Sequence, residues 1–170
     1  MHTTPLQFRP ATASDCKQIW EIIQQAKLYM LQENRRQWDE TYPTQRHIAD
    51  DIRRGYAYGL CNGTTVMAYG AIIFDGEAAY QNIDGAWLSH QPYVVLHRLA
   101  VATAAHGHGT ASTFIAETEK LALKHNVQSF KIDTNFDNGA MRAVLKKCGF
   151  TYCGKITYEK GWRMAYEKLL

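Results

Sequence analysis

The segment Val94-Val95-Leu96-His97-Arg98-Leu99-Ala100-Val101, continuing as Ala102-Thr103-Ala104-Ala105-His106-Gly107-His108-Gly109-Thr110, constrains this chain more than any other. Its apolar, β-branched first half predicts a strand. A small-residue loop with glycines two apart follows, and then a helix. Ala111, Phe114, Ile115, Thr118, Leu121 and Ala122 give that helix its apolar spacing. A glycine-bearing loop that opens a helix gathers unpaired backbone N–H groups and the positive end of the helix dipole at one spot. Phosphate or pyrophosphate is the chemistry that such a spot binds, so a phosphate-bearing ligand is expected.

The 170 residues suit one compact domain, residues 1–170, with a sizeable core. Hydrophobic content of 46% and charged content of 21% argue against disorder. Net charge is +3, from 19 basic and 16 acidic residues with no basic run. That argues against nucleic acid as a partner and is compatible with an anionic ligand. No apolar stretch reaches membrane-span length, and Met1-His2-Thr3-Thr4-Pro5 lacks the basic and apolar regions of a signal peptide, so no membrane association is expected. Cys16, Cys61, Cys148 and Cys153 form no CxxC pair. They are expected as reduced thiols of a cytoplasmic protein, with a Cys148–Cys153 disulfide as the alternative.

Periodicity supplies the remaining elements. Leu6 to Phe8 predicts a short first strand, and Thr12 or Ser14 caps a helix carrying Ile19, Trp20, Ile23, Ala26 and Met30. A polar segment from Gln32 to Thr44 leaves Trp38 and Tyr42 exposed among charges, and a second helix runs from about Gln45 to Arg54. Asn62-Gly63 between Tyr56–Cys61 and Val66–Phe74 is a strong hairpin signal. Asp75 to Pro92 is irregular, with Trp87 unplaced. Ser129–Thr134 predicts a strand, Asn138 precedes a helix with Met141, Val144 and Leu145, and Thr151–Cys153 and Arg163–Lys168 are two final strands. The fold class is α+β: a mostly antiparallel sheet of six or seven strands, a parallel crossover in its second half, and about four helices.

The loop excludes a Walker-type nucleotide site, because no Gly-Lys-Ser/Thr follows it. A dinucleotide fingerprint fits better, as Gly107-x-Gly109-x-x-Ser112 with Asp133 near a second strand end. Against it, Ala102 to His106 separate the strand from the first glycine, the third glycine is Ser112, and no second βαβαβ half exists.

Two motifs in correct order resemble those of the GNAT superfamily of acyl-CoA N-acyltransferases. That family has a strand ending in L-x-V before R/Q-x-x-G-x-G/A, filled here by Leu99-Ala100-Val101 and Ala104-Ala105-His106-Gly107-His108-Gly109. Its second signature, N-x-x-A-x-x-L-Y-x-x-x-G-F, is matched by Asn138 through Phe150, with Asn138, Gly149 and Phe150 in register. Arg9-Pro10-Ala11-Thr12 with Asp15 is a frequent family opening. Three positions depart from the pattern: Ala104 in the Arg/Gln slot, Met141 for a small residue, and Leu145 where the family places an acid tyrosine.

The resemblance implies a splayed strand pair that holds acetyl-CoA as co-substrate, with no metal. Leu99, Ala100, Val101, Ala104, Ala105, His106, Gly107, His108, Gly109 and Thr110 are the expected contacts, with Asn138 on the pantetheine arm and Lys147 near the nucleotide phosphates. Asn138 also suits a simple helix cap. The backbone N–H of Val101 is the expected oxyanion donor. His97, which even alternation places on one face with Leu99 and Val101, is the expected base, as in the similar strand of arylalkylamine N-acetyltransferases. A histidine merely hydrogen-bonded in a strand is the alternative. Tyr29, Glu33, Trp38 and Tyr42 are expected to line the acceptor site. The implied acceptor is a small-molecule or peptide amine, and a homodimer is the family's common state. An acyl-CoA-binding sensor without turnover and a dinucleotide-dependent oxidoreductase stay open as other functions.

Overall fold

The computed structural model describes residues 4–170. The chain runs β1 (Gln7–Pro10), α1 (Cys16–Gln32), α2 (Gln45–Arg53), β2 (Ala57–Asn62), β3 (Thr65–Ile73), β4 (Asp84–Gly85), β5 (Val94–Val101), α3 (Thr110–Lys124), β6 (Ser129–Thr134), α4 (Gly139–Lys147), β7 (Thr151–Tyr158) and β8 (Gly161–Leu169). Short 3-10 turns precede α1, β4 and α3. The hydrogen-bonded strand order is β1-β2-β3-β5-β6-β8-β7-β4. The reading of Met1 to Thr3 as no leader falls outside the described residues. Two compact units divide the chain. One takes the described residues up to Ile72 with Arg98–Phe114, the other Ile73–His97 with Ile115–Leu170.

In the first unit β1, β2 and β3 form an antiparallel meander, with Phe8 opposite Leu60 and Tyr58 opposite Gly70. The predicted Asn-Gly turn joins β2 to β3, and Gly63 supplies its positive φ of 58°. Ile19, Ile22, Ile23 and Met30 lie on one stripe of α1 and pack with Ile48 of α2, Tyr69 and Ala100. Each such burial contributes about 1.5–3 kcal/mol. Trp38 corrects an expectation. Charged neighbours in sequence suggest exposure, yet its indole is only 7% exposed and belongs to this core. Its large apolar surface outweighs the polarity of the residues beside it.

In the second unit β6, β8, β7 and β4 pair antiparallel, with Ile132 opposite Tyr166 and Lys155 opposite Met164. The start of β5 runs parallel to β6, with Val94 opposite Phe130 and Val95 opposite Lys131. Among the described residues the sheet therefore has eight strands, not six or seven. The unforeseen one, β4, lies in the stretch read as irregular. Gly85 and Gly154 make it possible: a Cβ on either would come within 2.2 Å of a carbonyl oxygen on the facing strand. Trp87, unplaced by periodicity, donates its indole N–H to the Tyr80 carbonyl at 2.8 Å. Asn138 caps α4 by accepting the Met141 N–H at 3.1 Å. Gly149 at φ 86° ends that helix, and Phe150 N–H closes on the Leu145 carbonyl. All four cysteines are free thiols.

Candidate active site

The loop after β5 is built to leave amides open. Ala102 N–H is held by the Met67 carbonyl and Thr103 N–H by Gln25 Oε1, while Ala105 and His106 close back on Ala102 and Thr103. Gly107, His108 and Gly109 then run exposed, and no acceptor meets their N–H groups among the described residues. Gly107 and Gly109 have φ of 76° and 71°, and nothing lies within 4 Å of a Cβ built on either. These glycines therefore serve conformation, since no wall excludes a side chain. Thr110 begins the 15-residue α3, its buried hydroxyl donating to the Ala105 carbonyl at 2.9 Å. Open amides, two left-handed glycines and a helix N-terminus together suit a diphosphate.

Side chains from α1 flank this loop. Gln25 accepts from both the N–H and the hydroxyl of Thr103. The Tyr29 ring meets His106 edge-on at 5.9 Å, and His106 Nε2 lies 3.0 Å from the Val101 carbonyl. Tyr29, expected near the acceptor, thus stands beside the glycine loop. Glu33, at the α1 C-cap, is exposed.

Strand alternation fails at Arg98. This residue takes φ 57°, a left-handed conformation that costs a non-glycine residue about 1–2 kcal/mol. The even alternation that predicts a common face for His97, Leu99 and Val101 is interrupted at this residue. A buried cluster holds the strain. Arg98 reaches both Asp51 oxygens, at 2.8 Å from Nε and 2.6 Å from the terminal nitrogen, and donates to the Tyr42 hydroxyl at 2.9 Å. Tyr69 also donates to Asp51. Burial opposes the charge on Arg98, but Tyr42 and Asp51 outweigh it and raise its pKa. Tyr42, expected exposed and substrate-facing, is half-buried in this cluster.

His97 lies in the second unit. Its Nε2 stands 2.9 Å from Glu77 Oε2, and the two side chains are 16% and 24% exposed. Tyr80 lies edge-on to the imidazole at 6.4 Å. Tyr80 and Tyr158 both donate to Asp133 Oδ2, at 2.7 and 2.9 Å. Burial, with the Asp133 charge behind it, pushes the Tyr80 hydroxyl well above its usual pKa. Even spacing puts Val95 and His97 on one face of β5, and Lys131 and Asp133 on the matching face of β6.

The structure thus groups Val101, His106 and the glycines with Tyr29 in one unit, and His97 with Glu77 and Tyr80 in the other. Asn138 and Lys147 also fall in the second unit, Asn138 buried as a cap and Lys147 exposed at the end of α4. Leu145 is fully buried core. Glu77, Tyr80 and Asp51 escaped sequence reasoning. Only the pairing of an acid with His97 could have flagged Glu77, and no local spacing encodes a partner 20 residues away.

A sequence model of the acetyltransferase (GNAT) family matches residues 19–150. An acetyltransferase of the GNAT family from Streptococcus agalactiae 2603 is 33% identical, with TM-score 0.88 over 97% of this chain and 95% of that one. A GNAT acetyltransferase from Listeria monocytogenes 4b F2365 shares the fold at 19% identity and TM-score 0.76, over 97% and 95%. PaiA N-acetyltransferase from Thermoplasma acidophilum, solved in complex with coenzyme A, shares it at 14% identity and TM-score 0.72, over 97% and 99%. No curated protein matches the chain in sequence.

Proposed function

The chain belongs to the acetyltransferase (GNAT) family, and from that premise we propose that residues 1–170 act as one N-acetyltransferase domain, moving an acetyl group from acetyl-CoA to a primary amine by direct attack. The observation that carries this reading is the exposed Gly107–Gly109 turn with its open amides at the head of α3. Acetyl-CoA supplies the acyl group activated as a thioester. Leu99 to Val101 and Ala104 to Thr110 are its proposed contacts, with Asn138 and Lys147 as the family motif assigns them. Ala104 removes one side-chain contact to the phosphates but leaves the backbone amides in place.

Two tasks fall to the chain's own groups. An amine near pKa 10 is mostly protonated at neutral pH, so a base must free its lone pair. His97 takes that proton. With Nε2–H donating to the Glu77 carboxylate, Nδ1 is the nitrogen left to accept it. The backbone N–H of Val101 donates to the thioester oxygen as negative charge develops there. Leu145 has no proton to give, so the departing thiolate leaves largely unassisted, which a thiol pKa near 8.5 allows. Glu33 and Tyr29 remain proposed acceptor contacts. The acceptor is a small-molecule or peptide amine, and the protein acts in the cytoplasm without nucleic acid or membrane.

Buried Leu145 favours a second reading, a coenzyme A-binding module without turnover. Thiol release from acetyl-CoA across a panel of primary amines separates the two. The proposal expects amine-dependent release. Coenzyme A binding with no release on any amine would establish the second reading.

A further inference from the structure

A buried cation in the second unit makes no ion pair among the described residues, although Glu167 stands opposite it across β6 and β8. Lys131, on β6, is only 3% exposed. Its Nζ lies 4.4 Å from the centre of the Trp87 ring and 4.2 Å from that of Tyr93. Its hydrogen bond to the Ser89 carbonyl is long, at 3.4 Å. The buried Glu167 carboxylate does not reach it with an ion pair. Its oxygens accept instead from Leu88 N–H, Ser89 N–H and the hydroxyls of Ser89 and Ser129. An ammonium has three donors, and buried charges are ordinarily paired. Two aromatic faces and one long contact leave this one under-satisfied.

Beside the ammonium is a cavity of about 350 Å³, lined by Lys131 with Tyr80, Ile83, Trp87, His90 and Tyr93. That volume lies in the range of small-molecule sites, and the rings of Tyr80, Trp87 and Tyr93 stand in its wall among small and polar residues. We propose that this cavity binds a small carboxylate with a flat apolar body, the carboxylate meeting Lys131 Nζ and the body lying against these rings. An ion pair there gives the ammonium the direct carboxylate contact that Glu167, opposite it on β8 and felt only through its charge, does not make. Burial holds the Lys131 pKa below the ordinary lysine value, and a bound carboxylate pulls it back up. The occupant also touches Tyr80, whose ring flanks His97.

The test uses the whole protein without any acyl thioester, so it does not depend on turnover. Calorimetric titrations with benzoate and with benzamide compare one shape with and without the charge. At least tenfold tighter binding of benzoate is expected, and Lys131→Met, a substitution of similar size, is expected to abolish that preference. Equal affinity for the two probes in the wild type would overturn the proposal. So would the absence of benzoate binding, or a preference for benzoate that persists in Lys131→Met.

Discussion

Glu77 Oε2 stands 2.9 Å from His97 Nε2, while the other oxygen of the same carboxylate accepts Ala79 N–H at 3.2 Å. The carboxylate is thereby pinned by the turn it caps, and the turn fixes the orientation of the imidazole. An orienting acid behind a histidine is an arrangement that would serve the general-base role proposed for His97.

His97→Ala should lower kcat by about 10²–10⁴-fold at neutral pH. The deficit should narrow as the pH approaches the amine's own pKa, about 10, where the free base no longer needs help. Turnover measured against pH for wild type and variant checks this. A deficit constant at every pH would assign His97 a purely structural place.

Gly107→Val and Gly109→Val act on backbone conformation, because a side chain there meets open space. Each forces a β-branched residue into left-handed φ, at about 1–2 kcal/mol. If that cost falls on the bound loop, the KM for acetyl-CoA rises about 5–30-fold, with kcat less affected. Steady-state kinetics at fixed amine reads the split. An unchanged KM would remove the loop from the binding site.

Asp51→Ala leaves the Arg98 guanidinium buried without its bidentate partner, so it should cost about 3–5 kcal/mol. Pairing Asp51→Leu with Arg98→Met removes both charges and should recover most of that loss. Urea melts of the three proteins test the comparison. A double variant as unstable as Asp51→Ala would show that the cluster matters for more than charge balance.

Arg9 donates to both Asp15 oxygens, at 2.8 and 3.0 Å. That bond, opposed by burial, lowers the Asp15 pKa to about 2. Because the folded value lies below the unfolded one, near 3.9, the stabilisation is complete above about pH 4 and disappears as the pH falls towards about 2. Arg9→Ala should lose about 1 kcal/mol at neutral pH and show a flatter acid limb in thermal melts. An acid limb of unchanged slope would contradict the pairing.

Local signals in the sequence located most of this fold. The Asn62-Gly63 turn, the apolar stripe of α1 and the limits of β6 all follow from periodicity and turn chemistry, which act over a few residues. The glycine loop was legible for the same reason, since left-handed φ and a helix start leave marks in adjacent positions. What stayed hidden depends on distant partners. Trp38 turns inward because the core of α1 and α2 receives it. β4 exists because Gly85 can approach Gly154. The left-handed Arg98 is held by Asp51 and Tyr42, residues far from it in sequence. His97 could be singled out, but the carboxylate that orients it could not.

A single-turnover experiment with carbonyl-labelled acetyl-CoA and a reactive primary amine, followed by mass spectrometry of both protein and small molecules, probes direct transfer most closely. Acetylated amine and free coenzyme A should appear in equal amounts, with no labelled acetyl group on the protein at any time before completion. A labelled acetyl-protein that forms and decays at the rate of turnover, or thiol release without acetylated amine, would contradict it.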